Sequence, residues 1–311
     1  MLNVGMEACP GFKLMKRIGK GGFGEVWQAL GPDGRNVALK FMDCRQKTSS
    51  VVVNEIKLLL ALRELRHPHL IQLLNINTGP NFIILVMELA EGSLNDLHYI
   101  YQQDFKTHIP PKVLCQLLTQ AAEALDFLAK QKLAPAAFHR AGLQHCDVKP
   151  SNILLLNNSV KVADFGLSGP LLLNERRDSI IGTPPYAAPE LYSGKASERT
   201  DQFGLAVSYV ELRTGKWPFK EKSIEKLKIE NPDLSMLPLE EQHVISRALH
   251  NRWLDRWPSC VAMMEALTNA VNHVNRSPAT TKPNSSAAHV LSSAQSYTPK
   301  TPKNQQTPKN K

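Results

Sequence analysis

Along the first third of the chain, apolar and polar residues alternate in short runs that glycine clusters interrupt. Phe12 to Lys20, Glu25 to Leu30 and Asn36 to Met42 read as strands, and Gly31-Pro32-Asp33-Gly34 marks a hairpin turn between the last two. From Val51 to Leu65 the period lengthens. Val52, Ile56, Leu59, Leu60 and Leu62 to Leu65 recur at the spacing of a helix packed on one face, and His67-Pro68 stops it. Leu70 to Ile76 and Phe82 to Met87 return to strand patterning around Asn77-Thr78-Gly79-Pro80-Asn81. Beyond Ser93 the segments are longer and helical: Lys112 to Lys130, Arg199 to Thr214, Leu239 to Leu249 and Ser259 to His273. A β-rich first part before an α-rich remainder predicts an α+β chain of two lobes with separate cores. The seam between the lobes is the natural ligand cleft.

With 311 residues, 42% of them hydrophobic and 21% charged, the chain can bury a sizeable core without metal or disulfide staples. The five cysteines (Cys9, Cys44, Cys115, Cys146, Cys260) are scattered, with no Cys-x-x-Cys pair. That argues against a zinc site or a disulfide framework and leads us to expect a reducing, cytoplasmic setting. No apolar run approaches the ~18 residues of a membrane span, and the first residues lack the order of a signal peptide, so neither is expected. The net charge of +9 is uneven, because residues 276–311 hold six Lys/Arg and no acid. This tail also has five prolines, eleven Ser/Thr, and Val290, Leu291 and Tyr297 as almost its only large apolar residues, the composition of a disordered segment. Its Thr-Pro-Lys repeats at 298–300, 301–303 and 307–309 suit an acidic partner, nucleic acid, proline-directed phosphorylation or plain tethering. No nucleic-acid binding is expected of the folded part.

Gly19-Lys20-Gly21-Gly22-Phe23-Gly24-Glu25-Val26 carries glycines at the Gly-x-Gly-x-x-Gly spacing, which also opens dinucleotide-binding units. A dinucleotide fingerprint needs a helix directly afterwards, whereas Glu25 to Leu30 alternates like a strand and turns at Gly31. The glycines are therefore expected at a hairpin tip, where missing side chains let backbone N–H groups close over phosphates. On the next strand, Val37-Ala38-Leu39-Lys40 sets a lysine among apolar neighbours, a costly position unless an anion meets it. Glu55 on the following helix is the intramolecular candidate.

Farther on, His145-Cys146-Asp147-Val148-Lys149-Pro150-Ser151-Asn152 leads into Ile153 to Leu156, an Asn157-Asn158 turn, and Val160-Lys161-Val162-Ala163-Asp164-Phe165-Gly166. Asp147, Asn152 and Asp164 thus lie at the ends of two short strands joined by a tight turn and can converge on one point. Hard oxygen ligands beside a phosphate loop suit Mg²⁺, which takes one or two carboxylates together with phosphate oxygens.

In this order the motifs resemble the protein kinase family, over about Phe12 to Asn275: the glycine-rich loop 19–26, Val37-Ala38-Leu39-Lys40, Glu55, the catalytic-loop pattern 145–152, Asp164-Phe165-Gly166 and Ala187-Ala188-Pro189-Glu190. Asp201, Trp217-Pro218-Phe219 and Arg256 add to the likeness. The resemblance implies a bilobal protein-kinase-like fold, with a small β-rich N-lobe of one main helix (about 12–87), a hinge (88–92) and a larger α-rich C-lobe (93–275). It also implies ATP and Mg²⁺ as cofactors, protein substrates and phosphoryl transfer to a hydroxyl. Asp147 would then orient the attacking hydroxyl with Lys149 beside it, and Asn152 and Asp164 would hold magnesium. Lys40, held by Glu55, would bind phosphate under Gly19, Lys20, Gly21, Gly22, Phe23 and Gly24. Val26, Ala38, Met87 as gatekeeper, Glu88 and Ala90 would border the adenine. Lys149 within Lys-Pro-Ser-Asn, and Gly182-Thr183, resemble the serine/threonine branch. The intact set Lys40, Asp147, Asn152 and Asp164 speaks against a pseudokinase scaffold, and the Gly182 to Glu190 segment against a small-molecule kinase.

Two departures stand out. The family's usual arginine before the catalytic aspartate is Cys146, and a thiol cannot pair with a phosphorylated activation loop, so activity without loop phosphorylation is expected. The stretch Ala129 to Gly142 is longer than the family's usual one and is expected to form a surface excursion carrying His139 and Arg140. With the His-Cys-Asp form, it is similar to bacterial eukaryotic-like kinases.

Overall fold

Alternation builds the first sheet. In β4 (Asn36–Asp43) the side chains of Val37, Leu39 and Phe41 join a core with Leu14, Trp27, Ala29, Ile84 and Val86. Ala38, Lys40 and Met42 take the opposite face, and both faces are buried. The computed structural model describes residues 2–21, 24–46, 48–79, 81–131, 142–164, 182–219 and 231–274. All of these lie within one compact unit, Met1–Ala279.

The sheet also contains β1 (Glu7–Cys9), β2 (Phe12–Gly21), β3 (Gly24–Leu30), β5 (Leu73–Thr78) and β6 (Phe82–Glu88), in the order β1-β2-β3-β4-β6-β5, with every pairing antiparallel. The turn expected at Gly31 to Gly34 is there: Gly31 N–H donates to the Arg35 carbonyl at 2.8 Å, and Asp33 accepts the Arg35 N–H at 3.0 Å.

Helix α1 (Ser49–Arg63) crosses between β4 and β5 in the chain. It ends two residues earlier than its apolar period predicts, because Glu64 and Leu65 N–H groups tighten onto Ala61 and Leu62 carbonyls ahead of Pro68. The strand expected from Leu70 begins only at Leu73. Leu70 instead forms an isolated parallel bridge to Val162, and Ile71 N–H donates to the Val162 carbonyl at 2.9 Å. Backbone groups spent on a second sheet cannot also extend the first.

That second sheet is β7 (Gly92–Ser93), β8 (Ile153–Leu156) and β9 (Ser159–Val162), in that order. Asn157 (φ 52°) and Asn158 (φ 59°) make the tight turn between β8 and β9, since asparagine tolerates the left-handed region. Around this sheet stand α2 (Leu94–Gln103), α3 (Pro111–Ala129), α4 (Thr200–Thr214), α5 (Leu239–Ala248) and α6 (Cys260–Val274). Helix α4 is buried nearly all round, and α3 packs on α4, α6 and β9. A capping box starts α2: Asp96 N–H donates to Ser93 Oγ at 3.2 Å, and the Asp96 carboxylate accepts from Ser93 N–H at 2.8 Å.

Candidate active site

The loop before β8 is held from below. His145 N–H and Cys146 N–H each donate at 2.7 Å to the two oxygens of Asp201, in the first turn of α4. Cys146 is thereby fixed in the left-handed region at φ 62°, where a non-glycine residue needs such support. Burial raises the Asp201 pKa against these two backbone donors. The His145 ring is buried as well. Its Nε2 lies 2.7 Å from the Ala163 carbonyl, and its Nδ1 accepts Asp147 N–H at 3.2 Å, so the neutral Nε2–H tautomer satisfies both contacts. One imidazole thus ties the residue before Asp164 to Asp147.

Asp147 gathers three donors. Lys149 Nζ is 2.7 Å from Oδ2, Asn152 Nδ2 is 3.0 Å from Oδ2, and Thr183 Oγ1 donates to Oδ1 at 2.7 Å. Lys149 Nζ also donates to Thr183 Oγ1 at 2.6 Å, so lysine, threonine and aspartate close a ring. Asn152 spends its second amide hydrogen on the Asp147 carbonyl at 2.8 Å. Its carbonyl oxygen is left as a hard donor of the kind Mg²⁺ prefers, and Asp164 supplies a carboxylate after β9. Among the described residues no cluster of three His, Cys, Asp or Glu could hold a metal by itself. The donor set therefore fits an ion that takes few protein ligands and completes its shell with phosphate and water.

Lys40 reaches this point from the first sheet. Its side chain is only 3% exposed, and its Nζ lies 2.9 Å from Asp164 Oδ2. Glu55 is buried on α1. The strand register sets the remaining expected residues around Lys40: Val26 pairs with Lys40, Ala38 with Met87, and Val37 with Glu88, while Ala90 is half-buried just beyond β6. Gly19, Lys20 and Gly21 pair with Val26, Glu25 and Gly24 to form the hairpin expected for the glycines. Gly24 has φ 123°, and a Cβ there would sit 1.8 Å from the Phe41 carbonyl oxygen, so only glycine fits. Gly22, Phe23, Phe165, Gly166, His139, Arg140 and the tail lie outside the described residues.

Several supporting contacts had no sequence forecast. Glu88 Oε1 accepts Gln72 N–H at 2.6 Å and Lys161 Nζ at 2.8 Å, joining β6 to β9. Thr183 marked a branch of the family, but nothing local to it revealed the bond to Asp147. Asp201 stood at the head of an apolar helix, and an acid just ahead of the run Phe203 to Val210 is the signal that could have flagged its partners. Glu190 and Arg256 form a bidentate pair, with both bonds at 2.8 Å and Arg256 fully buried. Burial pushes the Glu190 carboxyl up, but the guanidinium outweighs it and holds the group below the usual carboxylate range. The Cys146 thiol is raised well above its ordinary range by burial and by Asp201, which removes the thiolate that redox chemistry needs.

The family model described as the protein kinase domain matches residues 12–276. The chain belongs to the protein kinase family. Its β-rich first part and helical remainder are the bilobal α+β arrangement of that family. Protein kinases use ATP as phosphoryl donor, typically with magnesium, and act on proteins. The chain is 34% identical over 221 residues to sucrose non-fermenting protein kinase 1 of Fusarium virguliforme, covering 70% of this chain and 30% of that protein. It is 30% identical over 265 residues to the serine/threonine-protein kinase ULK3 of Rattus norvegicus, 82% of this chain and 53% of the relative. With the serine/threonine-protein kinase Pkn1 of Myxococcus xanthus it shares 28% over 298 residues, 88% of this chain and 40% of the relative. The chain thus spans between 30% and 53% of the length of these kinases. No helix among the described residues is long and apolar enough to cross a membrane.

Proposed function

We propose that this chain is a serine/threonine protein kinase that transfers the γ-phosphate of ATP to hydroxyls of protein substrates. The observation that supports the reading is the 2.9 Å ion pair of Lys40, from the first sheet, with Asp164 after β9, beside the Asn152–Asp147 bond and the His145 ring that links Asp147 to the residue before Asp164. In this reading residues 12–275 are the kinase domain, divided into an N-lobe (12–87), a hinge (88–92) and a C-lobe (93–275), and residues 276–311 are a basic tail outside it.

Asp147 orients the acceptor hydroxyl and takes its proton as the oxygen attacks the γ-phosphorus. Lys149, 2.7 Å from that carboxylate, stays close enough to offset the charge that builds on the transferring group. Lys40 steadies the α/β-phosphates with Glu55 behind it, the glycines 19–24 cover the phosphates with backbone N–H groups, and Glu88 and Ala90 present backbone groups to the adenine between Val26, Ala38 and Met87. Asn152 and Asp164 would hold Mg²⁺, which would supply charge neutralisation to the phosphate oxygens. Thr183, bonded to both Lys149 and Asp147, supports the serine/threonine assignment.

The test is phosphate transfer from radiolabelled ATP to the chain itself and to dephosphorylated casein. The wild type should label both. Asp147→Asn and Asp164→Ala should each lose on the order of 10³-fold or more in rate, and a wild type as silent as these variants rejects the proposal.

A further inference from the structure

Two left-handed residues meet across the site. Cys146 has φ 62° and Gly182 has φ 88°. Each precedes a partner in one hydrogen bond, Asp147 after Cys146 and Thr183 after Gly182, with Thr183 Oγ1 2.7 Å from Asp147 Oδ1. The backbones come closest at Gly182 itself, where a Cβ would lie 2.4 Å from the Cys146 carbonyl oxygen. A backbone oxygen cannot rotate aside as a side-chain tip can. Nor can Cys146 retreat, since its N–H and that of His145 are both held at 2.7 Å by the buried Asp201.

We infer that Gly182 is a positioning residue for phosphoryl transfer, an inference that rests on the kinase reading. Its bare Cα seats the Cys146 carbonyl, and this seating sets the Thr183 hydroxyl between Lys149 and Asp147. Through Thr183 it fixes where the Asp147 carboxylate meets the acceptor hydroxyl. Backbone conformation alone does not account for the glycine. Gly194 (φ 67°) and Gly34 (φ 76°) share the left-handed region, yet a Cβ on either would meet nothing within 4 Å. The contact with the catalytic loop is what sets Gly182 apart from them.

The experiment compares full-length wild type, Gly182→Ala, Gly182→Asn, Gly194→Ala, Thr183→Ala and the Gly182→Ala/Thr183→Ala pair. Thermal midpoints and steady-state kcat and KM are measured for ATP and for dephosphorylated casein. Asparagine accepts the left-handed region, so Gly182→Asn keeps the added Cβ while relieving backbone strain. Gly182→Ala and Gly182→Asn should each lower kcat about 100-fold, the cost of displacing a catalytic group by about 1 Å, with KM for ATP within about threefold of wild type. Gly194→Ala should melt earlier but keep its kcat. In the Thr183→Ala background, Gly182→Ala should cost less than about threefold more, because both changes break the same contact. Full activity in Gly182→Asn, or a loss that multiplies with that of Thr183→Ala, overturns the inference while an active wild type leaves the kinase reading standing. An inactive wild type overturns both.

Discussion

The Lys161 ammonium lies 2.8 Å from the Glu88 carboxylate, and that one oxygen also takes the Gln72 N–H at 2.6 Å. Lys161 is three residues before Asp164, and Glu88 ends β6 at the proposed adenine edge. The pair therefore connects the strand before the proposed metal ligand Asp164 to the strand at the proposed nucleotide edge. Both side chains are largely buried, so solvent screens the pair less than it would a surface one.

Lys161→Met and Glu88→Gln should each raise KM for ATP by about three- to tenfold, with a smaller change in kcat, since the pair shapes a binding edge rather than the reacting centre. The double variant should fall short of the product of the two, with a coupling of about 1 kcal/mol. Independent effects in steady-state titrations of ATP would show that the pair does not act as a unit.

The Glu190–Arg256 pair predicts a stability effect with a pH signature. Arg256→Ala leaves a buried carboxylate without its partner and should cost about 3–5 kcal/mol, or roughly 10 °C in thermal midpoint. Arg256→Lys should recover little, because an ammonium cannot reproduce two parallel bonds at 2.8 Å. The folded pKa of Glu190 is depressed, so its contribution is present above the ordinary carboxylate range and is lost as pH falls through the folded value. Calorimetry of wild type and Arg256→Ala should converge in acid, and a constant gap between them would contradict the assignment.

His98 gives the opposite end of the titration. It stacks on His108 with ring centroids 6.2 Å apart, and among the described residues neither Nδ1 finds a hydrogen-bond partner. Burial, and then His108, lower its pKa below the usual 6.5. Between the folded value and 6.5 the unfolded chain binds the proton that the folded chain refuses, so stability falls as pH drops through that window. His98→Phe should flatten this limb in denaturant titrations from pH 7 to 5, and an unchanged slope would remove His98 as the cause.

Cys146 separates two expectations about regulation. With no arginine before Asp147, protein treated with phosphatase, or carrying Ser179→Ala with Thr183→Ser, should keep most of its initial transfer rate. A collapse after dephosphorylation would mean that another cation receives the loop. Native alkylation should modify Cys44, which is partly exposed, well before the buried Cys146. Mass spectrometry of the labelled peptides reads the order directly.

The parts of the fold that follow from local chemistry were legible in the sequence. Alternation gave β2, β3, β4 and β6, and Asn157-Asn158 gave the β8–β9 turn, because each depends on neighbours in the chain. The bond between Asp147 and Asn152 lies within one short loop before β8, which is why the sequence pointed to their nearness. By contrast, β1 is three residues long and exists only through pairing with β2. Helix α2 was not among the expected helices, because Ser93 and Asp96, whose capping box starts it, read equally well as turn residues. The strand start at Leu70 was misplaced because Val162, some ninety positions away, claims that backbone. Contacts such as Asp201 to Cys146, or Lys161 to Glu88, belong to the assembled lobes, and no window along the chain contains both partners.

The carboxylate of Asp201 has a wider implication. It anchors the loop bearing Asp147 to a helix buried nearly all round, so that the proposed catalytic aspartate rests on bedrock. On the proposed kinase reading, adjustment around a nucleotide is expected of α1 and the strands that carry the glycines, and molecules that silence the protein by deforming it would gain most purchase there.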